Sequence, residues 1–300
     1  MDENFQDYAV AFLDIFGFTN FIKKAELPSE QGELANLTAL LEVIDKAIVV
    51  HTPEGTKIDG SFFPGDVKLE CIFISDSIIL SAPTHTEPDD YNGLVAVSIK
   101  TIQIAHQLMK MGFLLSGGLS IGKVYRYKNK SGSIRNIFGS GYMDAYKTQD
   151  ELAINPRVVL HKSAVECIRN RPAMNSLSIF MKDGDQWILD LLNPHPTYVK
   201  QVISNTELFN IYRERIIFSL GTLPFGSSQR NKWKWMASFF NSAISFYGYG
   251  FTIRDVEPID MGNKIHLPFK RGSVSNDDKD WMESFKRPPI SGFIVCPPNG

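Results

Sequence analysis

Cysteine is scarce in this 300-residue chain. Its three thiols, Cys71, Cys167 and Cys296, are far apart and odd in number. That excludes a disulfide framework and a paired-cysteine zinc pattern. The six histidines are equally scattered, and no two stand four apart, so the helical zinc site of a His-x-x-x-His hydrolase is missing. No apolar run approaches the ~18 residues needed to span a bilayer. The opening MDENFQDYAV is acidic, where a signal peptide would be basic. These absences predict a soluble, cytoplasmic protein without a membrane partner. A basic excess is lacking too: 31 Lys and Arg face 33 Asp and Glu, a formal net charge of −2. Phosphate neutralisation supplies most of the affinity for a nucleic-acid polymer, so no such polymer is expected as a partner.

What is present is ordinary globular composition, 43% hydrophobic and 21% charged, with no internal repeat or low-complexity tract. The length suits a core domain of ~150–200 residues with an appended smaller unit. YAVAFLDIF, residues 8 to 16, is a short apolar run rich in β-branched and aromatic residues that ends at Gly17. It reads as a buried strand followed at once by a helix from Thr19. Leu34, Leu37, Leu41, Ile44 and Ile48 predict a second helix over about 30–50. Residues 53 to 66, rich in Gly and Pro, read as loop. KLECIFISDSIILSA, residues 68 to 82, reads as two strands joined by a tight turn at Ser75 and Asp76. Leu94, Val97, Thr101, Ala105 and Leu108 mark an amphipathic helix.

FLLSGGLSIGKVYRY reads as a strand pair with glycines inside it, and KNKSGSIRN as a polar flap. Arg126, Lys128, Lys130 and Arg135 around that flap read as a solvated charged loop. A helix from Gly141 to Leu152, a PRVVL strand, an HKSAVECIRN helix and an LSIFMKDGDQWILDLL hairpin with an Asp-Gly turn follow. Helices interspersed with paired strands predict an α+β domain over 1–195 with a mixed or antiparallel sheet. Residues 196–300 read as a C-terminal helical extension and tail packed on the core. Two helices lie over 197–248, broken at GTLPFGSS, and a Pro-, Ser- and charge-rich tail runs from Lys270. In NKWKWMASFF, Trp233, Met236 and Phe240 recur at helical spacing and read as a packing face rather than a stacking platform for single-stranded DNA.

Two carboxylates stand out. Asp14 lies in AFLDIFGF and Asp76 in IFISDSIIL, each flanked by large apolar side chains. Such a carboxylate is costly to bury unless it is paired or binds a metal. Either alone is most simply a turn-capping residue. If their strands are neighbours, the two can converge on one point, as a two-metal phosphoryl-transfer site requires. The charge balance agrees with that chemistry, since a small triphosphate arrives with divalent metals that carry much of the compensating charge.

These segments resemble the class III adenylate/guanylate cyclase family. FLDIFGFTNF is similar to its first metal-binding motif, an apolar strand running into Asp-Ile/Leu-x-Gly-Phe-Thr. ISDSII resembles its Gly-Asp hairpin with Ser75 in place of Gly. GGLSIG matches its Gly-x-x-x-Gly strand at Gly118 and Gly122. FGSGYMDAYK is similar to its Phe-Gly-x-x-Val-Asn-x-Ala-x-Arg helix at Phe138, Gly139 and Ala145. The four occur in family order between residues 8 and about 192. The resemblance implies a ferredoxin-like, palm-type cyclase sheet. It implies two Mg²⁺ or Mn²⁺ ions held by Asp14, Asp76 and the Ile15 carbonyl, and backbone N–H groups of Phe16, Gly17, Phe18 and Thr19 on the β/γ-phosphates. It also implies a homodimer with sites shared between subunits.

The departures bear on substrate. The family's transition-state Asn falls at Met143 and its Arg at Lys147, which keeps charge but loses the bidentate fork. Arg157 in NPRVVL is a candidate replacement or else a strand-edge surface arginine. Where adenylate cyclases place Lys and Asp, and guanylate cyclases Glu and Cys, this chain has Ile72 and Asn136. That set, with the PRVV segment after Ala145 and Tyr146, resembles the pyrimidine cyclases of bacterial anti-phage defence, the Pycsar type. It implies a pyrimidine nucleoside triphosphate as substrate, UTP giving cyclic UMP, and a separate effector protein that senses the product. Cytidylate cyclisation to cyclic CMP stays open, as do a nucleotide-binding regulator without turnover and another two-metal phosphoryl transferase.

Overall fold

An uninterrupted apolar run such as Ala9–Leu13 suits a strand covered on both faces, and β1 (Gln6–Phe16) is such a strand. The structure, a computed structural model, describes residues 4–26, 38, 42, 56–58, 61–63, 69–84, 93–128, 134–170, 179–194 and 204–254. In it β1 pairs antiparallel with β5 (Ser77–Pro83) on one side and with β6 (Leu114–Lys128) on the other. β4 (Glu70–Ile74) lies outside β5. Beyond β6 come β8 (Val158–Leu160), β10 (Gln186–Leu189) and β9 (Phe180–Asp183), giving the order β4-β5-β1-β6-β8-β10-β9. β7 (Ile134–Phe138) pairs with the far end of β6. The β6–β8 pairing is parallel and the others are antiparallel, so the domain is α+β on a mixed sheet, as expected.

One face of the sheet carries α2 (Gly93–Met111), on which α5 (Asn205–Thr222) packs; α5 in turn packs on α6 (Ser228–Phe246). Ala9, Leu13 and Ile15 of β1 share one core with Leu208, Phe209 and Tyr212 of α5 and Trp233, Met236 and Phe240 of α6. The helical periodicity of the last three thus marks a packing face. The other face carries α3 (Ser140–Leu152) on a smaller cluster of Val10, Phe12, Ile79, Val124 and Ala145. Two short helices, α1 (Phe18–Ala25) and α4 (Lys162–Arg169), follow β1 and β8. No helix among the described residues is long and apolar enough to cross a membrane.

Several sequence expectations change. The helix expected to be amphipathic, α2, is buried at every position but Gln107, Lys110 and Met111, because it is sandwiched between the sheet and α5. Its polar groups are accordingly paired for the most part, although the Ser98 hydroxyl finds no hydrogen-bond partner among the described residues. His106 lies 2.6 Å from the Tyr212 hydroxyl and 2.9 Å from the Asn193 carbonyl. Burial lowers its pKa to about 4. The neutral ring therefore donates from Nε2 to the carbonyl and accepts the phenol at Nδ1. Within the stretch expected as loop, β2 (Thr56–Ile58) and β3 (Ser61–Phe63) form a two-stranded ribbon. Part of the expected flap, Ile134–Asn136, belongs to β7. Arg126 is not solvated. It is ion-paired to Glu70, donates to Ser81 Oγ at 2.7 Å and covers the Tyr8 ring. The helix over about 30–50 and the tail from Lys270 lie outside the described residues, apart from residues 38 and 42.

The expected strand pair around Gly117, Gly118 and Gly122 is one continuous strand, β6. Its glycines do not break it; Gly118 and Gly122 seat α3, whereas Gly117 faces Leu13 of β1. A Cβ on Gly118 would stand 2.1 Å from the Ala145 carbonyl oxygen and 2.7 Å from the Gln149 amide. A Cβ on Gly122 would stand 2.6 Å from the Gly141 amide. At Gly118 the nearest atoms are backbone, with the Thr148 Cβ at 2.8 Å, and none of them is a flexible side-chain end. Gly118→Ala should therefore destabilise the fold by at least ~2 kcal/mol in urea unfolding, the upper part of the range for overpacking. Gly221→Ala, with open space around it in α5, should be neutral or stabilising by up to ~1 kcal/mol. Equal stability of Gly118→Ala and wild type would show that α3 is not seated in this way.

Candidate active site

Asp14 stands two residues before the end of β1. Side chains alternate along a strand, so with Leu13 and Ile15 buried in the main core its carboxylate emerges on the opposite side. The β4–β5 turn meets it there. Ser75 takes a left-handed conformation at φ 56°, a position where a residue with a Cβ costs ~1–2 kcal/mol and glycine nothing. That turn brings Asp76 beside the end of β1. Ser77 pairs with Asp14 in register, and the Ile15 N–H donates to the Asp76 carbonyl at 3.1 Å. Burial pushes the Asp14 carboxyl above its ordinary value, the charge of Asp76 pushes it further, and Lys232 pulls it back. Two half-buried carboxylates are thus held within electrostatic reach of each other.

Gly17 follows at φ +90°, a conformation that favours glycine, and its carbonyl accepts the Phe21 N–H at 3.1 Å. The chain turns from strand into α1 at that point. The first-turn amides of a helix have no intrahelical acceptor and carry partial positive charge. Here they open on the same cleft as the two carboxylates. Asp14, Ile15, Phe16, Gly17, Phe18, Thr19 and Asp76 all line it, and its volume is about 460 Å³. That is within the ~300–1,000 Å³ of small-molecule sites.

The donor set is oxygen only: two carboxylates and the backbone carbonyls beside them. Among the described residues no cluster of three or more His, Cys, Asp or Glu is present. A hard divalent cation that fills its remaining positions with water and substrate phosphates fits this set, and Mg²⁺ or Mn²⁺ is of that kind. A cation would also offset the burial and the Asp76 repulsion that together raise Asp14.

The other expected site residues do not line this cleft. Ile72 packs against the smaller core cluster. Asn136 on β7 and Lys147 on α3 are exposed, and so is Met143. Arg157 directly precedes β8 and is half-buried. Its guanidinium is ion-paired to Asp183 and donates to the Leu152 carbonyl at 3.0 Å. It therefore ties the end of α3 to β9, and its partners would have to be given up for it to meet substrate.

The cleft also has walls that sequence reasoning missed. Ser219, Thr222 and Leu223 from the end of α5, and Gln229, Lys232 and Trp233 from the start of α6, line it. The Lys232 ammonium sits 3.4 Å from the centroid of the Phe16 ring. The signal in sequence is slight: one lysine beside the tryptophan of an otherwise apolar helical face.

The raised Asp14 carboxyl gives a signed expectation. A carboxylic acid with a raised folded-state pKa favours the fold fully below its unfolded value near 3.8, and that contribution is lost as pH rises through the folded pKa. At pH 7 in chelator, Asp14→Asn should therefore melt above wild type. Saturating Mn²⁺ at about a hundredfold over its Kd should stabilise wild type by ~2.7 kcal/mol, several degrees in melting temperature. Asp14→Asn should lose most of that gain. An equal Mn²⁺ shift in both proteins would remove Asp14 from the metal ligands.

No family model matches the chain, and no curated protein matches it. Among solved structures it is similar to the adenylyl cyclase CyaB from P. aeruginosa, at 13% identity over 57% of this chain and 84% of that one, with a TM-score of 0.38. It is similar to the guanylyl cyclase Cya2 at 11% identity over 55% and 80%, with a TM-score of 0.36. A bacterial light-regulated adenylyl cyclase matches at 10% identity over 72% and 59%, with a TM-score of 0.39.

Proposed function

We propose that this chain is a metal-dependent nucleotide cyclase of the class III type that converts UTP to 3′,5′-cyclic UMP and pyrophosphate. The observation that carries the reading is the meeting of Asp14, Asp76 and the first turn of α1 in one cleft. Asp14, Asp76 and the Ile15 carbonyl would hold two Mg²⁺ or Mn²⁺ ions. When bound, these would lower the pKa of the ribose 3′-hydroxyl and carry charge on the departing pyrophosphate. The amides of Phe16 to Thr19 would hold the β- and γ-phosphates, since a helix start is a ready anion site. The 3′-oxygen forms its bond to the α-phosphorus as the bond from that phosphorus to the β-phosphate oxygen breaks. No enzyme-bound intermediate is needed.

Lys147 and Asn136 would act from a second subunit. Both are exposed, and near them Tyr127, Phe138, Met143 and Tyr146 expose apolar surface that a partner copy would cover. Ile72 offers no partner to a purine edge, and an unmatched polar edge in a buried site costs ~1–3 kcal/mol. Asn136 presents both a carbonyl and an amide, which suits the donor–acceptor edge of a pyrimidine. By resemblance the product is an alarm signal in anti-phage defence, sensed by a separate effector.

Two measurements test this. With UTP, CTP, ATP and GTP at equal concentration and Mn²⁺ present, mass spectrometry should show cyclic UMP as the dominant product. Dominant cyclic AMP or cyclic GMP would refute a pyrimidine site, and cyclic CMP would refute only the choice of uracil. Separately, Asp76→Asn and Lys147→Ala should each be inactive alone. An equal mixture after subunit exchange should recover about a quarter of wild-type activity, because half the dimers are mixed and each has one intact site of two. No recovery after demonstrated exchange would count against shared sites.

A further inference from the structure

Lys232 belongs to α6, far in sequence from the two aspartates, yet it lines the same cleft. Its place there has a plain structural cause. The face of α6 built from Trp233, Met236 and Phe240 is buried in the main core, which sets the rotation of the helix. Gln229 and Lys232, three residues apart and so neighbours on one helical face, are thereby turned toward the cleft at the helix start. The ammonium rests over the Phe16 ring at 3.4 Å from its centroid, a cation–π contact. Phe16 directly precedes Gly17 and the first turn of α1. A fixed positive charge therefore stands at the same mouth as the helix-start amides. Among the described residues no ion pair holds it, though it lies within electrostatic reach of Asp14.

A lysine in this place has two possible chemistries. As a counter-ion to Asp14 and Asp76 it would compete with divalent metal for those carboxylates. As a ligand of polyphosphate oxygens it would work together with the metal, because the anion lies between the two positive charges. The geometry points to the second: Lys232 is a polyphosphate-binding residue, contributed to the site by the C-terminal helices of the same chain. The contact with Phe16 favours this, because it holds the ammonium beside the helix-start amides. The inference rests on the reading of the cleft as a triphosphate site. It assigns α5 and α6 a functional part: they complete the phosphate end of the cleft.

The test is calorimetric binding of inorganic tripolyphosphate in the presence of Mg²⁺ to the full chain. Lys232→Gln should weaken binding about tenfold or more, the usual loss for one charge-assisted hydrogen bond. Lys232→Arg should keep most of the affinity. Lys234→Gln, on the exposed side of α6 and away from the cleft, should match wild type. Unchanged affinity in Lys232→Gln would overturn the inference. So would Lys232→Gln binding Mn²⁺ more tightly while tripolyphosphate affinity holds or rises, which is the signature of a mere counter-ion. Cyclisation assays on the same proteins separate this from the function proposed above. If wild type forms cyclic nucleotide and Lys232→Gln binds tripolyphosphate normally, only the role of Lys232 falls. If tripolyphosphate binding depends on Lys232 but no triphosphate is cyclised, the phosphate site stands and the cyclase reading falls.

Discussion

Asp14 and Asp76 repel each other, and the backbone holds them together regardless. The antiparallel register of β1 with β5, closed by the Ile15 N–H to Asp76 carbonyl bond, fixes their main chains side by side. The cost shows in the Asp14 carboxyl, which burial raises first and the Asp76 charge raises further, and in the left-handed Ser75 of the adjoining turn. A fold spends stability in this way where the unfavourable arrangement is relieved by something it binds. A divalent cation relieves carboxylate repulsion, and a triphosphate brings such cations with it. Much of the rest of the molecule can be understood as support for that one corner of the sheet.

The support comes from both faces. On one side the glycines of β6 let α3 settle backbone against backbone, and Arg157 ties the end of that helix to β9 through Asp183. This fixes the exposed surface of Asn136, Met143, Tyr146 and Lys147. On the other side α2 is buried almost all round, and its His106 links α5 to the segment after β10. Asn241 in α6 holds Ile253 through both backbone groups, accepting at 2.8 Å and donating at 3.0 Å. With Trp233, Met236 and Phe240 in the common core, the helices that wall the cleft have little freedom to turn Lys232 away from it.

Much of the site was legible because its signals are local. An apolar run that ends in Asp-Ile-Phe-Gly-Phe-Thr encodes a strand, a carboxylate, a left-handed glycine and a helix start within a few residues. The turn that carries Asp76 was legible for the same reason, as was the Asp-Gly hairpin, where Gly184 takes φ +60°. Readings failed where the deciding partner was remote. Gly118 and Gly122 of β6 looked like breaks because the helix they accommodate lies about twenty residues on. Arg126 looked solvated because Glu70 is on another strand. The apolar spacing of α2 showed a single stripe, while its burial depends on α5, about a hundred residues later.

By itself the sequence determined most of the elements and their order, and the two carboxylates placed at strand ends, since strand and helix periods, turn residues and the cost of an apolar-flanked charge act over a few neighbouring residues. Only the tertiary structure decided that these carboxylates share a cleft with Lys232, that Arg157 is engaged with Asp183, and that Ile72 joins an apolar cluster. Those outcomes depend on strand register and on the rotation of packed helices. Both are set by the burial of many side chains at once, which no single segment encodes.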